Sequence, residues 1–171
     1  MACEEILGFG RAGGVIGCLK AAASDPRRSY HVPDAGEPWT IVQAAVKDPS
    51  ERCIPRDPEG RPWTWHVTDV RDCVQAVVLA LEKDAANGRT FSVAGPKPAR
   101  WDEVVPYLCE KLGEDYVEIT IPNLWHFEFD LSAAREHLGY APEYPPERMI
   151  DDALAFRAGT DIGVIPPAIP H

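Results

Sequence analysis

The sequence predicts an α/β fold, in which a small sheet carries packed helices and no series of β-α repeats builds a large parallel sheet. Residues 61–95 are predicted to form one strand, helix, strand unit, because Trp63 and Trp65 alternate with polar residues before an apolar pattern of helical spacing begins. Residues 101–112 repeat apolar side chains at the spacing of one helix face. Residues 116–122 are rich in β-branched side chains, which is typical of a strand.

Two elements are predicted before the central unit. A helix begins at Glu37, because Pro38 suits the first helical position and an apolar face follows it. This helix ends near residues 48–49. A short strand is predicted over 51–55, and the composition of residues 56–60 indicates a turn.

The central unit contains a clear capping signal. Asp69 stands where a short carboxylate side chain can cap the helix predicted over 70–81. Residues 87–88, Asn-Gly, supply the positive φ angles that stop a helix, and a second strand is predicted over 90–94. One face of the helix is aliphatic, and its members are Val70, Val74, Val77, Val78 and Leu81.

Beyond the central unit the chain alternates helices with one more strand. Two of these helices end at a glycine, which adopts the left-handed conformation of a helix C-cap more readily than other residues do. The predicted elements are the helix 101–112, kinked at Pro106 and closed by Gly113, the strand 116–122, a short helix 131–138 capped by Asp130 and closed by Gly139, and a helix that opens at Pro145-Pro146.

Length and charge limit the class of protein. The chain has 171 residues, which fits one domain over 1–171 with an ambiguous N-terminal segment (1–34) and a proline-rich tail (159–171). Its formal net charge of −10 repels phosphate backbones and anionic membranes, so we expect no nucleic-acid or membrane partner. No apolar run reaches ~18 residues and no leader is recognisable, which predicts a cytoplasmic location. The five widely spaced cysteines are typical of buried thiols, and no zinc spacing is present.

Three motifs carry a resemblance to a known family. Residues 66–70, His-Val-Thr-Asp-Val, resemble the H-V-x-D-V segment of the extended short-chain dehydrogenase/reductase family, the NAD-dependent epimerases and dehydratases. Residues 91–95, Phe-Ser-Val-Ala-Gly, resemble its following Y-N-V-G strand. Residues 129–142 are similar to its D-x-S-K-A-x-x-x-L-G-W-x-P segment, with Ala133 where the lysine usually sits. All three motifs belong to the C-terminal half of the proteins of this family. The resemblance therefore implies the C-terminal lobe of the fold, without a complete Rossmann sheet.

The resemblance implies a substrate-binding lobe that takes a nucleotide sugar. In the family, the dinucleotide-binding half and the catalytic Tyr-x-x-x-Lys precede this segment. The resemblance therefore implies no catalytic residue here and no cofactor bound by this chain alone. Two alternatives stay open, a shortened NAD(P)-dependent oxidoreductase and a structural or assembly subunit of a complex, so whether the chain is an enzyme is left open.

The resemblance also implies an arginine that reaches the phosphates of the sugar nucleotide. Arg61 is the nearest candidate and Arg56 the second, with Trp63 as a further substrate contact. A guanidinium group suits this task because its planar fork can hold two phosphate oxygens. Pro62 occupies the position where the epimerases usually have that arginine, and a solvated loop arginine would explain the same residues.

A glycine pattern near the start of the chain has two interpretations. Gly8, Gly10 and Gly13 satisfy G-x-G-x-x-G, and Asp34 lies at the distance of a ribose-binding acid. Such a loop would hold the pyrophosphate of NAD with backbone N–H groups. The residues before it lack the apolar run of a buried strand, which the motif requires. The same segment resembles the Y-G-P-G-G loop of the family.

Two other constellations have simpler explanations. Tyr107 and Lys111 form a literal Tyr-x-x-x-Lys, but helical geometry turns both toward water. His126, Glu128 and Asp130 would share one face of an extended segment, as ligands of a divalent metal could. No fourth ligand lies at a recognisable spacing, so we assign neither a catalytic pair nor a metal site.

The resemblance further predicts an association of copies. In the resembled fold, the aliphatic face of the helix 70–81 packs against the nucleotide-binding half, and the strand 90–94 joins the edge of the large sheet. Without these neighbours both surfaces would be exposed to solvent. We therefore expect a homo-oligomer, in the form of a two-fold dimer with residues 61–95 at its interface, and the segment before Arg11 is a second candidate for that interface. The apolar side chains expected there are Val74, Val77, Val78, Phe91 and Val93.

Overall fold

The computed structural model describes residues 38–48, 50–122 and 125–164, together with positions 6, 9–12 and 15. The chain divides into two compact units. The strand unit contains residues 8–64 and 100–126, and the helix unit contains residues 1–7, 65–99 and 127–171. The prediction of one domain over 1–171 stays a prediction.

The described helices and strands are interspersed along the chain. In order they are α1 (Pro38–Ala45), β1 (Arg52–Arg56), β2 (Thr64–Trp65), α2 (Val70–Glu82), a 3₁₀ turn (Asp84–Ala86), β3 (Ala99–Arg100), α3 (Trp101–Leu112), β4 (Tyr116–Thr120), β5 (His126–Phe127), a π turn (Ala134–Leu138) and α4 (Pro146–Arg157). β1 and β4 form a two-stranded sheet, and the three shortest strands pair in the order β3, β2, β5.

The parallel pair β1 and β4 belongs to the strand unit, and in β4 the buried residue is Ile119. Arg52 lies opposite Tyr116, and the register continues to Arg56 opposite Thr120. β1 is buried except at Arg56, because α3 packs on it. The buried side chains of α3 are Trp101, Val104, Val105, Leu108 and Cys109.

α2 is the central element of the helix unit. Its N-cap is Asp69, whose carboxylate accepts a hydrogen bond from the backbone N–H of Arg71 at 2.8 Å. The predicted cap is therefore confirmed. The buried side of α2 carries Asp72 and Ala76. The core cluster beside it consists of Ala76, Ala94, Leu131, Ala134, Leu138 and Tyr140.

The aliphatic face of α2 points away from this core. Its four valines are between 44% and 59% exposed, and Leu81 is 82% exposed. The exposure that the sequence led us to expect is therefore found. Phe91 and Val93, which we also expected at a surface, are partly buried against the core cluster.

The predicted strand over 90–94 is wrong. Single hydrogen bonds hold this segment instead, because the N–H of Gly95 donates to the carbonyl of Val67 at 2.9 Å and the carbonyl of Ala94 accepts from the hydroxyl of Tyr140 at 2.7 Å. A strand needs a repeated ladder with a neighbour, and none of the strands described above runs beside this segment.

The helices end where the capping residues predict, except that α2 ends before residues 87–88. α2 stops at Glu82 and the 3₁₀ turn follows, so the positive φ of Gly88 (69°) comes after that turn, and Asn87 has a φ of −59°. Gly113 and Gly139 adopt the left-handed conformation at the predicted helix ends. Asp130 accepts from the N–H of Ser132 at 2.8 Å, as predicted for a cap.

Candidate functional site

Asp57 organises the turn that follows β1. This carboxylate is 2% exposed, and its Oδ1 atom accepts from the backbone N–H groups of Glu59 (3.1 Å) and Arg61 (2.7 Å). Gly60 has a φ of 82° and donates its N–H to the Asp57 carbonyl. Burial alone would raise the pKa of Asp57, but the hydrogen bonds from Arg61 and its charge lower that pKa. The turn therefore places a charged carboxylate beside the guanidinium group of Arg61.

Arg61 is held on one edge and open on the other. Its Nε donates to Asp57 Oδ2 at 2.6 Å, and its Nη2 donates to Glu59 Oε2 at 3.1 Å. The hydrogen bond to Asp57 raises the pKa of the guanidinium. The side chain remains 61% exposed, so the Asp57 contact fixes its position while much of the group faces solvent.

Arg56, the second candidate, is enclosed by partners. Its Nε and Nη2 donate to the two carboxylate oxygens of Glu118, at 2.8 Å and 3.3 Å. Its Nη1 donates to the carbonyl of Gly60 at 3.0 Å and lies 3.5 Å from Asp102 Oδ2. All three guanidinium nitrogens are engaged, and the side chain is 24% exposed.

Sequence reasoning missed Arg100, which lies in the same cluster. Asp102 joins Arg100 to Arg56, because its carboxylate accepts a hydrogen bond from Arg100 Nη2 at 2.9 Å and also lies beside Arg56. Arg100 Nε also lies 3.2 Å from Glu103 Oε1. We call the set of three arginines and their carboxylates the arginine cluster, and its members are Arg56, Arg61, Arg100, Asp57, Glu59, Asp102, Glu103 and Glu118. The local signal in the sequence for the place of Arg100 in this cluster was its position two residues before Asp102.

Trp63, the third predicted substrate contact, lies in the core of the strand unit with no exposed surface. Its ring packs edge to face on Trp101, with centroids 5.6 Å apart, and lies 5.2 Å from the ring of Trp125. The backbone N–H of Trp63 donates to the carbonyl of Pro55 at 3.1 Å. The structure therefore gives Trp63 a packing role at the end of β1, and its contact with substrate stays a prediction.

Gly10 is the glycine of the G-x-G-x-x-G pattern that falls in the described part of the chain; Gly8, Gly13 and Asp34 lie outside it. Its carbonyl accepts from the N–H of Cys53 at 2.8 Å, and the N–H of Ala12 donates to Glu51. A Cβ atom on Gly10 would lie 2.7 Å from Val105 Cγ2. Close packing against α3 and pairing with β1 thus explain the glycine at this position.

The other two constellations, Tyr107 with Lys111 and the set of His126, Glu128 and Asp130, are not members of the arginine cluster. Lys111 Nζ lies over the ring of Tyr107, 5.0 Å from its centroid, and Lys111 is exposed. Within the described ranges, no group of three or more His, Cys, Asp or Glu side chains is arranged to hold a metal ion. No described helix is long and apolar enough to cross a membrane.

No family model and no curated protein matches the chain. Several solved structures do match the chain. A short-chain dehydrogenase/reductase superfamily protein from Agrobacterium tumefaciens, solved with bound NAD, is 27% identical, with a TM-score of 0.63 over 71% of this chain and 37% of that chain. UDP-glucuronic acid 4-epimerase from Bacillus cereus, in complex with UDP-glucuronic acid and NAD, is 18% identical, with a TM-score of 0.50 over 64% of this chain and 35% of that chain. The second likeness shows the fold alone.

The chain spans about a third of the length of the solved structures that it matches. It has part of the short-chain dehydrogenase/reductase fold, in α/β form, and its described residues form one two-stranded and one three-stranded sheet. The resemblance to this family and the fold class predicted from the sequence are therefore confirmed.

Proposed function

We propose that this chain is a substrate-binding lobe of the NAD-dependent epimerase and dehydratase type, and that it binds a nucleotide sugar through the diphosphate. The observation that carries the proposal is the open guanidinium of Arg61, held by a buried carboxylate in a chain with part of the short-chain dehydrogenase/reductase fold. The UDP-glucuronic acid carried by the Bacillus cereus epimerase belongs to the same class of ligand.

Arg61 is better suited than Arg56 to take a phosphate. A phosphate approaching Arg61 has to displace at most Glu59, which is 66% exposed, and exposed ion pairs contribute only about 0–1 kcal/mol. A phosphate approaching Arg56 has to displace the two-point contact with Glu118 and the contact with Gly60. The exposed fractions, 61% and 24%, favour the same order.

The proposed function of this chain alone is binding, without hydride transfer. The glycine pattern at residues 8–13 would have to present free N–H groups to NAD, whereas the N–H of Ala12 donates to Glu51. Gly10 packs so closely on Val105 that an added Cβ atom would clash with that side chain. Both observations support packing as the role of this segment.

Calorimetric titration tests the proposal. UDP-glucose, UDP and NAD are titrated separately into the parent chain and into Arg61→Gln, Arg56→Gln and Arg89→Gln. Arg89 is an exposed arginine of the helix unit and serves as the matched control. We expect saturable binding of UDP-glucose and UDP, weakened roughly tenfold or more in Arg61→Gln, since a charged hydrogen bond contributes about 1.5–3 kcal/mol.

Arg56→Gln should weaken binding less, and Arg89→Gln should leave it unchanged. Absence of UDP-glucose binding by the parent, or equal losses in Arg56→Gln and Arg61→Gln, would refute the proposal. Saturable binding of NAD by the parent would instead favour the shortened oxidoreductase.

A further inference from the structure

Two carboxylates bind the guanidinium group of Arg61. Asp57 accepts a hydrogen bond from Nε at 2.6 Å, and Glu59 accepts one from Nη2 at 3.1 Å. All three residues lie in one turn, which is closed by the hydrogen bond from the backbone N–H of Asp57 to the carbonyl of Arg61 at 2.9 Å. Residues 57–61 therefore supply both of these contacts from within the turn itself.

The two carboxylates differ in how firmly they are held. Asp57 is 2% exposed and accepts the backbone N–H groups of Glu59 and Arg61, so it cannot leave without opening the turn. Glu59 is 66% exposed and reaches Arg61 through the single nitrogen Nη2. An exposed ion pair of this kind is weak. Asp57 is thus a fixed partner of Arg61, and Glu59 is an exchangeable one.

A phosphate at Arg61 needs the nitrogen that Glu59 occupies. Two-point binding of a phosphate uses two neighbouring nitrogens of the guanidinium fork. Asp57 occupies Nε, so the remaining pair is Nη1 with Nη2, and Glu59 is bound to Nη2. Because Glu59 is tethered two residues away, its effective concentration at Arg61 is high. Glu59 and an incoming phosphate therefore compete for the same donor.

The charge of the arginine cluster adds to this competition. Three arginines face five carboxylates in the cluster. The cluster therefore has an excess of negative charge before any ligand arrives, and a diphosphate brings more. The like charge of Glu59 would oppose a phosphate bound at Arg61 even after the ion pair has opened. Removing the charge of Glu59 should favour a phosphate in both ways.

We propose that Glu59 is an internal competitor of the phosphate: it pairs with Arg61 when no ligand is bound and leaves when a phosphate binds. This inference rests on the proposed function and adds a residue that limits the affinity of the same site. Asp57 stays in place in both states and keeps the guanidinium group oriented. Glu59 thus restricts the site to ligands whose phosphate oxygens bind Arg61 better than a tethered carboxylate does.

Calorimetric titration of UDP into charge-matched variants is the test. Glu59→Gln and Glu110→Gln each remove one negative charge, and Glu110 is an exposed residue of α3. We expect Glu59→Gln to bind UDP about two- to fivefold more tightly than Glu110→Gln does, the effect of removing an exposed ion pair that competes with the ligand. Uridine, which has no phosphate, should not distinguish the parent from Glu59→Gln.

Two further variants separate competition from a structural role. Glu59→Ala removes the side-chain oxygen that a glutamine could still offer to Arg61, and it should bind UDP at least as tightly as Glu59→Gln. The double variant of Glu59→Gln with Arg61→Gln should bind UDP no more tightly than Arg61→Gln alone. Replacing a residue that only stabilises the turn would weaken UDP binding, whereas replacing a competitor strengthens it.

The outcomes separate this inference from the proposed function. If the parent binds UDP, equal affinities of Glu59→Gln and Glu110→Gln, or weaker binding by Glu59→Gln, would overturn the inference and leave the proposed function standing. Tighter binding by the double variant than by Arg61→Gln would show that Glu59 does not act through Arg61, and would overturn the inference as well. Failure of both the parent and Glu59→Gln to bind UDP would overturn the inference together with the proposed function.

Discussion

The Nε2 atom of His66 lies 2.9 Å from the carbonyl oxygen of Gly95. The other ring nitrogen, Nδ1, accepts the backbone N–H of Phe129 at 3.1 Å. These partners assign the proton of the neutral ring to Nε2. His66, Gly95 and Phe129 belong to the three motif segments that carry the family resemblance, so the histidine joins those segments through hydrogen bonds to their backbones.

Replacing this histidine should destabilise the helix unit. His66→Phe keeps a ring of similar size but leaves the buried carbonyl of Gly95 and the part-buried N–H of Phe129 without their partner. The free energy of unfolding in urea should fall by about 2–3 kcal/mol. His126→Phe, at an exposed position, is the comparison and should change it by less than about 0.5 kcal/mol. Equal unfolding midpoints for the parent and His66→Phe would show that the two contacts contribute nothing to stability.

Asp69→Ala should remove the N-cap of α2. The carboxylate accepts from the backbone N–H of Arg71 and also pairs with the Arg71 guanidinium. Loss of an N-cap usually costs about 1 kcal/mol, and we expect at least that decrease in unfolding free energy. Asp69→Asn keeps a cap acceptor and should lose less. If a thermal melt finds Asp69→Ala and the parent indistinguishable, the cap does not stabilise this helix.

Asp72 and Asp69 should give opposite pH dependence, although both lie at the start of α2. Burial raises the pKa of Asp72, whose carboxylate accepts the N–H groups of Glu143 and Tyr144. Burial acts in the same sense on Asp69, but the hydrogen bonds and charge of Arg71 lower its pKa. A raised folded-state pKa means that stability falls as pH rises above the unfolded value of about 3.9; a lowered one means that stability falls as pH drops below it.

Urea unfolding between pH 3 and pH 7 measures the two effects through variants that no longer titrate. The stability of the parent relative to Asp72→Asn should be greater near pH 4 than at pH 7. The stability of the parent relative to Asp69→Asn should be greater at pH 7 than at pH 3. The same pH trend in both pairs would contradict the environments described for these carboxylates.

Gly10→Ala should be more damaging than Gly60→Ala. Both glycines have nearly the same φ, 81° and 82°, so the backbone strain of an added Cβ is matched. At Gly10 the new atom would lie 2.7 Å from Val105 Cγ2, whereas nothing lies within 4 Å at Gly60. We expect an additional loss of about 1–3 kcal/mol for Gly10→Ala, the usual effect of overpacking. Equal losses in chemical denaturation would remove the packing explanation for this glycine.

The candidate site was only partly visible in the sequence. Arg56 and Arg61 could be named because they lie at the two ends of a predicted turn, just before a recognisable motif. Their exposure and engagement could not be deduced, because Glu118 comes from β4, far along the chain, and reaches Arg56 through the parallel pairing of β1 with β4. Sequence spacing carries no information about such a partner.

The sequence by itself determined the features that depend on a few neighbouring residues. The Asp69 cap, the left-handed Gly113 and Gly139, and the span of α3 follow from local hydrogen bonding, steric freedom and apolar spacing. Tertiary structure decided which side of α2 is buried: Asp72 faces inward, where the N–H groups of residues 143–144 satisfy its carboxylate, and the valines face water. It also decided that residues 90–94 form no strand. Periodicity identifies an apolar face or an extended run, but burial and strand pairing require a neighbour that only the folded chain can supply.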